Sequence, residues 1–248
     1  MNFSLDPLDL AALLCSRVCH DVISPVGAIV NGLEVLEDEK DPETRAFAVD
    51  LIKKSATTAS AKLQFCRLAF GAAGSAGASI DTGDAEAVTR GLLSDDKVRL
   101  DWQAARVLMP KNHVKLILNL CLIAIAAIPR GGVITVSTSS DGGVLARVTA
   151  TGTYTRVAHG VADLLVGRTE DKPLDAHAIQ PYYAYLVAQS AGLDLVIDHE
   201  GDRVTIEARH AAAPPQADDQ SEAMQKGEDN RQPEATAEAA PASLLDMG

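Results

Sequence analysis

One stripe of residues limits the folds open to this chain more than any other. From Val49 to Phe70, apolar side chains recur at Val49, Ile52, Ala56, Ala59, Leu63, Cys66 and Phe70, three and four residues apart in alternation. A strand repeats every second residue. A mean spacing near 3.5 belongs to a helix seamed against other helices. A second long helix precedes it: residues 8–38 and 43–71 read as two helices split by "EDEKDPE", where Asp41 can cap the second and Pro42 fills its first turn. So short a turn makes a helical hairpin. A hairpin alone covers only part of each apolar stripe, which leaves two ways to bury the rest. Either a second copy completes a four-helix bundle, or the remainder of the chain folds back over the seam. The seven-residue regularity favours the dimer.

The hairpin is assigned to residues 1–72. The run "GAAGSAGAS" marks a flexible connection, placed at 73–80. From 81 to 210 the pattern becomes that of an α/β domain. "GDAEAVTRGLL" reads as a helix, "KVRLDWQ" as a strand, and "PKNHVKLILNLCLIAIAAI" as a helix with Pro110 in its first turn. "GGVITVSTS" and "GVLARVTAT" read as a hairpin turning at "SDGG". Helical stretches follow near 155–166 and 176–191, then strands "LDLVID" and "RVTIEAR" joined through "HEGD". The final segment, 211–248, carries eight acids against two bases, half of the net charge of −12, in an Ala/Pro/Gln-rich context. Such a composition cannot bury a core, so an acidic disordered tail is expected.

On the first helix, with Cys15 set at zero and about 100° per residue, Cys19, Val22, Val26, Ile29, Leu33 and Leu36 fall within about 60° of it. His20 falls near 140°, with Leu13, Arg17, Ser24, Gly27 and Asn31 on the same side. The imidazole is thereby expected to face water, away from the apolar seam. Three helix-weakening residues follow it: Pro25, which removes an N–H from the helical ladder, and Gly27 and Gly32, each costing roughly 1 kcal/mol against alanine. Their presence argues for a functional surface, with Ser24 and Gly27 giving a partner's backbone room to approach. A neutral imidazole is a good nucleophile near neutral pH, and the adjacent Asp21 would orient it or relay a proton. Arg17, one turn earlier, is either a phosphate-neutralising cation or an ordinary surface charge. Leu13 reads as an exposed apolar contact for a partner.

The remaining classes narrow quickly. Net negative charge argues against nucleic-acid or anionic-membrane binding. No basic, apolar leader opens the chain, and the run from Leu116, broken by Asn119, is too short to span a bilayer. The four cysteines, Cys15, Cys19, Cys66 and Cys121, lack paired metal-site spacing and read as reduced core residues of a cytoplasmic protein.

His20-Asp21 with Pro25 five positions on resembles the phosphoacceptor box of two-component histidine kinases, which lies on the first helix of a dimeric hairpin. The α/β region resembles the ATP-binding domain of the same kinases. "HVKLILNLCLIAIAAIPRGGVITVST" is similar to the asparagine-box helix and its following strand, "VLARVTATGTY" to the strand entering the first glycine box, and "IQPYYAYLVAQSAGLDLVIDHEGDRVTIEA" to the second glycine box and closing hairpin. The nucleotide-binding positions depart from that pattern. Asn119 remains, but Ile123 takes the second asparagine's place, Ala150 that of the adenine-reading aspartate, and Tyr154 that of a glycine. Pro181, Tyr182 and Tyr183 stand where glycines let backbone approach phosphate. Asn119 is then expected to be a packing amide. The combination is similar to alphaproteobacterial histidine phosphotransferases.

That resemblance implies a phosphorelay protein that carries a phosphoryl group on His20 without binding ATP. It implies no cofactor or metal of its own, with Mg²⁺ supplied by the receiver partner. The donor in that family is the receiver domain of the hybrid kinase CckA, and the acceptors are the response regulators CtrA and CpdR. Two rival readings remain, an ATP-dependent kinase with a divergent pocket and a non-catalytic scaffold for receivers.

Overall fold

The computed structural model describes residues 4–71, 78–93, 97–139, 143–169, 174–176 and 178–211. Residues 73–77 of the connection expected at 73–80 and residues 212–248 of the tail expected at 211–248 lie outside the described residues, and Met1–Ala211 form one compact unit. Helix α1 (Pro7–Asp38) and helix α2 (Pro42–Ala69) make the hairpin. Asp6 caps α1 by accepting from the Leu8 N–H, and Asp41 caps α2 by accepting from Thr44 N at 2.8 Å. Helix α1 runs unbroken through Pro25.

The face that α1 turns to α2 lies roughly a quarter turn from the Cys15–Leu36 stripe. Its two buried residues are Pro25 and Gly32. A Cβ on Gly32 would stand 2.7 Å from Ile52 Cγ1 and 3.3 Å from the Ala48 carbonyl, so the glycine lets the two backbones close up. Two of the three residues credited above to a functional surface therefore serve packing; only Gly27 has open space around it. Much of the presumed seam is exposed instead: Cys19, Val26 (44%) and Leu33 (48%) on α1, and Val49 (37%), Ala56 and Leu63 (49%) on α2, each set seven residues apart. Cys15 and Cys19 are thus exposed thiols in the single chain, contrary to their reading as core; Cys66 and Cys121 are buried.

The chain then enters a two-layer α/β sandwich. Strand β1 (Ser79–Asp81) pairs antiparallel with β3 (Leu108–Pro110), so the end of the expected linker is a strand, and the second partner was not anticipated. Helix α3 (Thr82–Leu92) starts from the Asp81 cap. The main sheet has the order β2-β4-β5-β7-β6, from β2 (Val98–Trp102), β4 (Gly132–Thr138), β5 (Val144–Thr151), β6 (Leu193–Glu200) and β7 (Arg203–His210). Among the described strands of this sheet only β2–β4 is a parallel pair. Alternating residues Ala146, Val148, Ala150 and Val204, Ile206, Ala208 face inward, where helices α4 (Lys111–Ala127) and α6 (Ile179–Ser190) cover them. Pro110 is the N-cap of α4, not part of its first turn. Helix α4 is buried almost all round, as its continuous apolar run requires.

The Pro129–Gly132 turn brings α4 into β4. Gly131 has φ +90°, and a Cβ there would meet the Lys97 carbonyl at 2.3 Å. Between β5 and α6 the expected helix at 155–166 shrinks to one turn, α5 (Val161–Leu164), behind Gly160 at φ +80°.

Candidate functional site

His20 sits in the middle of α1, with 61% of its side chain exposed, as its helical angle predicts. Its Nδ1 lies 3.6 Å from Asp21 Oδ1, and the other oxygen of Asp21 accepts from Arg17 Nε at 3.0 Å. Lys62 on α2 donates its Nζ to the Asp21 carbonyl at 2.8 Å. Arg17, Asp21 and His20 form a chain in which one carboxylate is held by a guanidinium on one side and addresses the imidazole on the other. Both Arg17 and Asp21 are largely covered, at 20% and 26% exposure, so Arg17 is not an ordinary surface charge.

The other expected site residues divide. Ser24, Gly27 and Asn31 continue the exposed face beyond His20, and Gly27 leaves the surface flat. Leu13 is a correction: it is half-buried and packs with Leu10 and Leu14 against Leu164, Ile179 and Tyr182 of the α/β layer. The α/β layer therefore grips α1 through its first turns, reaches Arg17, and leaves His20 just outside. Lys62 escaped sequence reading because a lysine on a helix gives no signal of which carbonyl it will meet.

Beside Asp21 a cavity of about 380 Å³ opens between hairpin and sheet, with Lys62, Phe65, Cys66, Lys97 and Leu122 among its walls. Burial, reinforced by the Asp21 charge, pushes the Cys66 thiol up to about 11, so it stays protonated and unreactive at neutral pH.

Side chains occupy the positions aligned with nucleotide binding, and two of them, Ile123 and Pro181, border a cavity of about 260 Å³. Asn119 is fully buried; its Nδ2 donates to the Ala69 carbonyl at 3.2 Å and the Lys115 carbonyl at 2.7 Å, and its Oδ1 accepts from Gln180 Nε2. It is a packing amide that ties α2, α4 and α6 together. Pro181 and Tyr182 are buried, Ile123 and Ala150 belong to the core, and Tyr154 lies under the Arg130 guanidinium, 4.6 Å from its ring centre.

A helical hairpin with a water-facing His-Asp pair, backed by an α/β sandwich, fits the class of phosphotransfer proteins. The comparisons with known proteins agree. The family described as histidine phosphotransferase C-terminal domain matches residues 82–203. Protein phosphotransferase ChpT of Brucella abortus (strain 2308) is 49% identical over 206 residues, 83% of this chain and 97% of that protein. A solved bacterial phosphotransferase is 45% identical, with TM-score 0.76 over 84% of this chain and 100% of the other. The chain belongs to the histidine phosphotransferase family. Its activity is protein phosphotransfer.

Helix α1 is long and apolar enough, by length and composition, to cross a bilayer, which the sequence reading overlooked. In the structure it packs on α2 and on the sandwich and carries the Arg17–His20–Asp21 group.

Proposed function

We propose that His20 is the phosphoacceptor and that the protein relays a phosphoryl group between receiver domains without using ATP. The exposed His20 beside the clamped Asp21 carries this reading. Because Nδ1 faces Asp21, Nε2 is the nitrogen presented to a partner. The Nε2 lone pair attacks the phosphorus of a receiver's aspartyl phosphate. An N–P bond forms, the P–O bond to the aspartate breaks, and the aspartate leaves as a carboxylate. Asp21 supports the positive charge that develops on the ring, or takes its Nδ1 proton. A second receiver's aspartate then reverses the step. Positioning and charge neutralisation supply most of the acceleration in such transfers. Arg17 acts through Asp21, holding the carboxylate in line with the ring.

The hairpin, residues 1–72, is the transfer module and 81–210 the relic of the ATP-binding domain, which braces α1 from Leu13 to Arg17. Ser24, Gly27 and Asn31 form the landing strip for the receiver, with Leu13 contributing only its exposed edge. Mg²⁺ belongs to the receiver. The partners implied by the resemblance are a CckA-like hybrid kinase as donor and CtrA-like and CpdR-like regulators as acceptors, all in the cytoplasm. The exposed heptad positions Cys19, Val26, Leu33, Val49, Ala56 and Leu63 support a homodimer, since a second hairpin laid on them makes a four-helix bundle.

One experiment separates relay from kinase. The protein is mixed either with ³²P-labelled ATP or with a ³²P-labelled phosphoreceiver. Label should reach it from the receiver alone; label taken directly from ATP would establish the kinase reading instead.

A further inference from the structure

A second cavity, of about 260 Å³, lies on the other side of Arg17, between α1, α4 and the start of α6, with Arg17, Leu122, Ala126, Arg156, Val157 and Gln180 among its lining residues. Its chemistry is unusual for a packing defect. Two arginines border one small, mainly apolar chamber, and Arg156, an exposed residue, makes no ion pair or side-chain hydrogen bond among the described residues. Arg17 spends Nε on Asp21 and leaves its terminal nitrogens for another acceptor. Gln180, 4% exposed, gives Nε2 to Asn119, but its Oε1 is buried with no hydrogen-bond partner. Buried acceptors are rarely left so, and Gln180 is one of the residues that border this cavity.

We propose that this cavity is a binding site for a small organic anion. The ligand has a compact apolar body, one carboxylate or similar acidic group for Arg17 and Arg156, and one N–H or O–H for Gln180 Oε1. The chamber lies below the usual size of a drug-like pocket, so the body is no larger than one or two fused rings. Binding would share the Arg17 guanidinium between Asp21 and the ligand's acidic group and so weaken its hold on the carboxylate that addresses His20, so an occupied site slows phosphotransfer. This last consequence rests on the phosphotransfer reading of His20; the binding itself does not.

Three probes isolate the three features. Indole-3-acetate has the ring, the carboxylate and an N–H; indole lacks the carboxylate; naphthalene-1-acetate lacks the N–H donor. Each is titrated into the full chain while amide chemical shifts are followed. Indole-3-acetate should saturate one site, with shifts at Ala126, Val157, Ala158 and Gln180. Each of the other two should bind about tenfold more weakly, as expected for one lost charge-assisted or buried hydrogen bond. Arg156→Gln should weaken indole-3-acetate by a similar factor, and Ala126→Phe, on the exposed rim, should block it. Shifts confined to the Val26–Leu33 stripe, indifference to both variants, or displacement of the probe by ADP would overturn the site. Transfer from a phosphoreceiver, unchanged at saturating indole-3-acetate, would overturn the coupling through Arg17 while leaving the relay itself intact.

Discussion

Asn119 and His20 are the two polar residues most closely matched to kinase motifs, and the structure treats them in opposite ways. Asn119 sits at 0% exposure, its amide consumed by two carbonyls and Gln180, inside a helix buried almost all round. His20 is mostly exposed on a helix with only two buried residues, one of whose apolar sides is open. A motif residue in the core is kept because removing it would strand its neighbours. One facing water has no such reason, so chemistry is the better explanation. The α/β layer uses its asparagine as a packing group, while the hairpin turns its histidine toward water.

The largest effect expected is on assembly. Val26→Lys together with Leu33→Lys places two charges on the open stripe, and sedimentation should show a dimer become a monomer while the far-ultraviolet spectrum is retained. A wild-type protein that sediments as a monomer would remove the argument from the exposed heptads. Next comes Asn119→Leu, which takes the side-chain partner from the Ala69 carbonyl and the Gln180 amide, while the Lys115 carbonyl keeps its helical backbone bond, and should cost about 2–4 kcal/mol in urea unfolding. A cost near zero would mean that Asn119 is not a structural tie.

The two glycines of α1 sharpen the contrast within the hairpin. Gly32→Val pushes a side chain into Ile52 and should destabilise by about 1–3 kcal/mol. Gly27→Ala enters open space and should stabilise by up to about 1 kcal/mol, by raising helix propensity.

The smallest effect is on acid stability. The Thr44 N–H and the Gly83 N–H hold the Asp41 and Asp81 carboxyls below their ordinary range. At Glu207 burial acts upward, but hydrogen bonds from Arg209 and Arg147 outweigh it and the net direction is also down. Carboxyls lowered in the folded state protonate first in the unfolded chain. Their stabilisation is therefore present above about pH 4 and is lost as pH falls through the lowered folded values. The urea midpoint should drop between pH 5 and pH 3, and Asp41→Asn, which keeps a capping oxygen, should flatten that slope slightly.

Much of this was legible in the sequence. Asp41 as a cap, the apolar run of α4, the closing β6–β7 hairpin and the water-facing His20 all follow from local rules, because each depends on a few neighbouring residues. What was misread depended on distant partners. A helical wheel shows which side of α1 is apolar but not which side α2 will cover. The side it covers contains Pro25 and Gly32, whose value lies in permitting close approach and not in hydrophobicity. Leu13 looked exposed because Leu164, Ile179 and Tyr182 are more than 150 residues away in the chain, roughly the size of an ordinary domain. The β1–β3 pair was missed for a similar reason: each strand is three residues long and neither carries an alternating pattern.

The central claim is that the exposed imidazole of His20 carries the phosphoryl group. Wild-type protein and His20→Ala are each incubated with a labelled phosphoreceiver, and the bound phosphate is tested for acid lability and mapped by peptide mass spectrometry. The account predicts an acid-labile phosphoryl group on the peptide containing His20, absent from the variant, with both proteins unfolding at the same urea concentration. Label that persists in a folded His20→Ala protein would contradict it.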